Sequence, residues 1–181
     1  MKTLSRFIET ALEWILILLM VALTVIVVVA VVYRKLDDSL VWYDEVASIM
    51  LSWITYYGAA LAALKRKHIG FDTILLALPK TWRMIGAVFA EIVVLAFFVL
   101  LAWAGLQVLE VLEGDSLVSL TWVPVQLTQS VIPVGAVLFI ICELLSLPMY
   151  LRGVASGQSA EHQEIEAEVE HHLNSAGANR A

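Results

Sequence analysis

Few side chains in this sequence are of a type that does chemistry, and two of them sit where ionisable groups are costly. Glu91 and Glu143 each interrupt an otherwise apolar run. A carboxyl at that depth is the kind of group that relays protons in membrane pumps. The pair is placed to share a proton, to reach the basic cluster Lys65, Arg66 and Lys67, or to meet a partner's cation; a structural carboxyl, protonated or paired, is the plainer expectation. Cys142 is the sole cysteine, so it forms no intrachain disulfide and reads as a small packing residue. His68, His162, His171 and His172 all lie outside the apolar runs, which leaves a haem-carrying four-helix subunit without axial ligands at depth. His162, His171 and His172 with Glu168 are metal-ligand types, but in a polar acidic tail they read as solvated filler. No metal or other cofactor is expected. No Ser/His or paired-Asp arrangement suggests an intramembrane protease, and a glycine-rich phosphate loop and CxxC are missing from the sequence, so no enzymatic activity is expected either.

The elements that carry these residues follow from composition. Of the 181 residues, 61% are hydrophobic and 15% charged, against about 45–50% and about 25% in a soluble domain. The mean hydropathy is +0.87. The net charge of −6 comes mostly from Glu161, Glu164, Glu166, Glu168 and Glu170 in the tail, and it excludes a basic nucleic-acid binder. The excess of apolar residues falls into four runs, giving an all-α membrane protein with spans near 12–33, 43–64, 83–110 and 121–150. Between Trp14 and Tyr33 no side chain ionises; about 20 helical residues rise ~30 Å, the thickness of the hydrocarbon core. The β-branched stretch Val25–Val32 favours a strand in water, but an isolated strand in lipid leaves its backbone unpaired, so helix prevails. Lys2 and Arg6 precede this run as in a signal peptide, yet it is too long for an h-region and Arg34-Lys35 follows it, so it reads as an uncleaved span. Trp14, Trp42, Trp82 and Trp122 lie near the starts of the four runs, where indoles favour the headgroup boundary. In the fourth run Pro124 suits a first helical turn, and Pro133-Val-Gly135 is expected to kink the helix near mid-membrane.

Charge orients the spans. Lys2, Arg6, Lys65, Arg66, Lys67, Lys80, Arg83, Arg152 and Arg180 fall on the side of the termini, and only Arg34 and Lys35 on the other. The positive-inside rule therefore places both termini in the cytoplasm of a bacterial or archaeal inner membrane. Phe71, Ile74, Leu75 and Leu78 recur at helical spacing between spans two and three, predicting a short interfacial amphipathic helix over about 69–79. Residues 153–181 are polar and acidic and are expected to be a solvated tail. Span two carries the most legible surface. Ser48, Ser52, Thr55, Ala59 and Ala62 or Ala63 recur at steps of four and three, and Gly58 with Ala62 adds a small-xxx-small pair. Such stripes let backbones approach in lipid. Packing within the bundle is the plainer expectation; contact with a second protein is the alternative.

Arg34, Trp42-Tyr-Asp44-Glu45, Trp53, Gly58-Ala-Ala and His68-Ile-Gly-Phe-Asp72, with Pro79, Trp103-Ala-Gly105 and Pro133-Val-Gly135 further on, resemble the DctQ family, the small integral-membrane subunit of tripartite ATP-independent periplasmic (TRAP) transporters. The resemblance covers about residues 8–150 and is most specific between Arg34 and Asp72. The family's usual Trp-x-Glu-Glu has Asp44 in place of the first Glu, Phe71 stands where a smaller aliphatic is common, and the acidic tail is outside the pattern. The resemblance implies a four-helix scaffold beside a larger DctM-type membrane subunit that carries the sodium and substrate sites and moves as an elevator. It also implies a DctP-type periplasmic substrate-binding protein that delivers a carboxylate. On this basis Arg34, Trp42, Asp44, Glu45, Trp53, Gly58, His68 and Asp72 join Ser48 and Ser52 as partner-binding or scaffold residues. Asp44 and Glu45 fall in the first turn of span two, where negative charge also complements the helix dipole. His68 is expected at a helix end or against a lipid phosphate.

Two other functions stay open. One is an autonomous, proton-coupled four-span exporter acting as a homo-oligomer; small multidrug exporters share the span number but place their acid in span one, which here is uncharged between Trp14 and Tyr33. The other is an accessory subunit of a different membrane complex. The sparse polar content of the spans, without inverted repeats or paired broken helices, favours a supporting subunit over both.

Overall fold

The apolar runs fold as helices in a computed structural model that describes residues 2–65 and 79–156, the side chains of 2–4 and 156 excepted. The expected interfacial helix up to residue 78, His68, Asp72 and the acidic tail beyond residue 156 lie outside the described residues; residues 153–156, expected in the tail, continue the last helix. Four helical stretches are long and apolar enough to cross a membrane.

The first helix, α1, spans Lys2–Lys35, about 50 Å at 1.5 Å per residue. It starts well before the expected residue 12 because neither glycine nor proline interrupts the chain there. Arg34 and Lys35 occupy its last turn, where positive charge complements the dipole. The chain leaves the helix through Asp37, whose φ is 58°, a left-handed conformation that aspartate tolerates better than most residues; the Leu36 and Asp38 N–H groups both return to the Tyr33 carbonyl. Helix α2 spans Tyr43–Lys65, with Asp44 and Glu45 in its first turn and Lys65 in its last. Helix α3 spans Lys80–Val111 and follows Pro79, whose carbonyl accepts the Arg83 N–H at 3.0 Å.

Span four is two helices, α4 at Val125–Gln129 and α5 at Val131–Ser156. The proline effect expected at mid-membrane falls nearer the start of the span, at Ser130. Proline has no N–H, so Pro133 cannot donate to the Gln129 carbonyl. The bonds on either side persist, Ser130 N–H to Gln126 and Val134 N–H to Ser130, and Ser130 keeps right-handed helical angles. Pro133 thus sits in the first turn of α5, where a missing N–H is harmless.

The helices run alternately up and down, and α5 is the centre. α1 packs on α2, α2 on α5, and α5 on α3. At the α2–α5 crossing a Cβ built on Gly135 would come within 2.7 Å of the Tyr56 Cβ; at the α3–α5 crossing one on Gly105 would come within 3.0 Å of Ile132 and Pro133. Both contacts need a residue without a side chain. Leu12, Ala60, Ala63, Leu64, Phe139 and Cys142 form the buried cluster, and Phe98 of α3 stacks on Phe139 with ring centroids 3.6 Å apart. The Ser146 hydroxyl joins α5 to α2 by donating to the Ala63 carbonyl at 3.1 Å. Away from these seams the spans present Ile, Val, Leu and Phe outward, α1 and α3 above all, as a lipid-facing surface requires.

Candidate partner-docking surfaces

The start of α2 concentrates most of the residues singled out from sequence. Trp42 lies just before the helix, half-buried, and its carbonyl accepts the Val46 N–H at 3.2 Å. Asp44 is exposed. Glu45 does more than complement the dipole. Its Oε1 accepts the Val118 N–H at 3.0 Å and its Oε2 the Ser119 N–H at 2.9 Å. The α3–α4 loop is thereby clasped to the start of α2. Ser119 adds a hydroxyl hydrogen bond to the Val41 carbonyl at 3.4 Å.

Below this clasp runs the stripe of small residues. Ser48, Ser52 and Thr55 are exposed, and among the described residues no helix covers the stripe at these three positions, whereas Ala63 at its far end is buried in the core cluster, as packing within the bundle requires. Each hydroxyl turns back on its own helix, Ser48 to the Asp44 carbonyl at 2.8 Å, Ser52 to Ser48 at 3.0 Å and Thr55 to Leu51 at 2.8 Å. The face is therefore small in relief, and its donors are already satisfied. Gly58 continues it toward the other side; a Cβ there would meet nothing within 4 Å, so no contact among the described residues demands the glycine.

Trp53 belongs to the interior instead. Its indole Nε1–H donates to the Thr128 carbonyl of α4 at 3.0 Å, and its ring meets Tyr57 edge-on at 6.3 Å. That bond ties span two to the short helix before Pro133. Arg34 is exposed at the end of α1.

The two intramembrane carboxyls lie inside the protein, Glu91 at 8% exposure on α3 and Glu143 at 5% on α5. Neither lies on the outer face. Lys65, one of the cations expected near them, is engaged elsewhere: it pairs with Glu9 at 3.3 Å and with Glu13 in a shorter contact. Sequence reading passed over Glu9 and Glu13 because they precede the apolar run. Their i, i+4 spacing on a helix that starts at Lys2 was the available signal, since it puts both carboxylates on one face. Arg83, at the start of α3, reaches the Ala155 carbonyl near the end of α5 at 3.4 Å. The Glu45 clasp was equally out of reach, because it joins residues more than seventy positions apart. Among the described residues no group of three or more His, Cys, Asp or Glu is gathered to hold a metal ion.

Residues 23–148 match the family described as Tripartite ATP-independent periplasmic transporters, DctQ component. A Haemophilus influenzae protein provisionally named TRAP transporter small permease protein is 29% identical over 107 residues. The aligned stretch is 59% of this chain and 65% of that relative's length. The match runs from within α1 through α2, α3 and the clasped loop to Pro148 of α5, and on that extent the chain belongs to the DctQ component family of tripartite ATP-independent periplasmic transporters.

Proposed function

We propose that this chain is the small scaffold subunit of a sodium-coupled, binding-protein-dependent TRAP uptake system for a carboxylate, and that it braces a large DctM-type elevator subunit which itself carries the ion and substrate sites. A DctP-type protein delivers the substrate. Both termini lie in the cytoplasm of an inner membrane, as the nine-to-two distribution of basic residues indicates. The α1–α2 and α3–α4 loops then face the periplasm.

The exposed α2 stripe is the observation that carries this reading. A solute path needs polar groups free to replace water around its cargo. Ser48, Ser52 and Thr55 instead spend their donors on their own helix, which leaves a shallow face suited to a neighbouring transmembrane helix. In lipid, association depends on such close packing, since no hydrophobic drive separates lipid from protein. Gly58, unexplained within the chain, extends the same face.

The test is copurification of the large subunit in mild detergent. The triple substitution Ser48→Leu, Ser52→Leu and Thr55→Leu fills the shallow face without adding charge. It should reduce recovery of the large subunit about tenfold, equivalent to about 1.4 kcal/mol of association, while the small subunit itself stays folded. Undiminished recovery would remove the stripe from the interface. A homo-oligomer of this chain that drives transport alone in vesicles would end the scaffold reading altogether.

A further inference from the structure

Beside the seam where α3 meets α5 runs a groove of about 430 Å³. Ala102, Leu106 and Leu109 of α3 form one wall, and Pro133, Val137 and Ile141 of α5 form much of the other. The close approach of the two helices at Gly105 and Pro133 gives the groove its floor, and Leu106, Val137 and Ile141 are exposed along its edges. From residue 102 to 109 the helix rises about 10 Å, so the groove averages roughly 40 Å² in section, about half that of a helix with its side chains. A polymethylene chain enters that width and a whole helix does not. No lining residue has a polar side chain, and a soluble ligand needs a few placed polar groups to orient it. The groove shares no residue with the α2 stripe assigned above to the large subunit.

The mouth of the groove has a different character. Glu110 stands one turn beyond Leu106 on the same stripe of α3, near the end of the span, and it is exposed. The Leu109 carbonyl is already taken by the Gln126 amide at 2.9 Å, which leaves the Glu110 carboxylate as the acceptor offered there. No salt bridge engages it among the described residues. Glu113 and Asp115 follow, both exposed, and no lysine or arginine occurs between residues 84 and 151. Such a mouth repels an anionic lipid headgroup and attracts one that ends in an ammonium.

We propose that this groove seats one acyl chain of an outer-leaflet phospholipid with a primary-ammonium headgroup, the class of phosphatidylethanolamine, and that Glu110 receives the ammonium. Close packing along the groove holds the chain, since lipid surroundings supply no hydrophobic drive, and the carboxylate selects the headgroup. The choice of leaflet follows from the orientation proposed above; the site itself does not depend on the transport role.

The experiment strips the full-length chain of lipid in mild detergent and titrates it with phosphatidylethanolamine and phosphatidylglycerol of identical acyl chains, with bound lipid counted by native mass spectrometry. The chain should bind the first about fivefold more tightly than the second, the scale of an exposed ion pair. Glu110→Gln changes an exposed side chain outside the groove and should erase that preference. Val137→Trp fills the groove from its exposed wall and should weaken binding of both lipids about tenfold, as expected where close packing is the attraction. Glycerophosphoethanolamine, the same headgroup without acyl chains, should not compete. Equal affinity of the parent for the two lipids overturns the proposal, and so does a preference that survives Glu110→Gln. A Val137→Trp curve that superimposes on the parent overturns it too; if that variant fails to fold, the Glu110→Gln comparison decides alone. Displacement of the bound lipid by added large subunit is equally fatal, because the groove then belongs to that partner.

Discussion

Two glycines separate internal from external constraint at the level of single residues. Gly135 lies where α2 and α5 cross, and a Cβ there would come within 2.7 Å of Tyr56. That atom belongs to the stem of the side chain and moves only with the backbone, so Gly135→Ala should destabilise the subunit by roughly 1–3 kcal/mol, the usual cost of overpacking. Gly58 has open space around its missing Cβ, so Gly58→Ala should stabilise the isolated subunit by up to about 1 kcal/mol through helix propensity. Thermal unfolding of the purified subunit in detergent reads both changes; equal effects of the two would contradict the geometry. Sequence reading singled out Gly58 for the spacing of its neighbours and quoted Gly105 and Gly135 only as parts of motifs, because a glycine's reason lies in the opposing helix, which spacing does not reveal. Glu45 was read in the same partial way. Its place in the first turn was visible, and the two N–H groups it holds from Val118 and Ser119 were not.

Among the elements, the apolar runs were legible because lipid leaves a long apolar segment one solution, a helix with every backbone group satisfied internally. Their ends were less so. The span-one helix continues back to Lys2, where Lys65 meets Glu9 and Glu13; no local pattern encodes a partner on another helix. The break in span four was anticipated from Pro133 and misplaced toward the middle, because the lost bond belongs to the carbonyl four residues earlier. That displacement yields a direct expectation. Pro133→Ala restores an N–H facing the Gln129 carbonyl, so Val125–Ser156 should become one continuous helix. Amide hydrogen exchange should then slow across Ser130–Val134, with protection rising about tenfold for each 1.4 kcal/mol added to the opening free energy. Unchanged exchange would mean that the interruption comes from the Trp53–Thr128 bond and not from the proline.

Taken whole, the molecule divides its polar groups by destination. Those near the ends of the spans join one helix to another: Glu45 to the α3–α4 loop, Lys65 to α1, Arg83 to the end of α5. The hydroxyls on the outer face of α2 are consumed by their own helix. Among the described residues Glu91 and Glu143 are the carboxyls buried within the spans, and they decide whether the chain takes part in ion coupling or only in support. Glutamine keeps the shape of the side chain and one acceptor oxygen while removing any capacity to exchange a proton. If the two acids serve packing and hydrogen bonding between α3 and α5, the double substitution Glu91→Gln and Glu143→Gln should assemble normally with the large subunit. Uptake by the proposed complex should then stay within about threefold of the parent, a change of under ~1 kcal/mol in the barrier. If they relay protons, assembly should survive and uptake should collapse. Burial keeps both carboxyls off the lipid face, a placement that structural and proton-relaying acids share, so uptake by the assembled double variant is the measurement that separates the two roles.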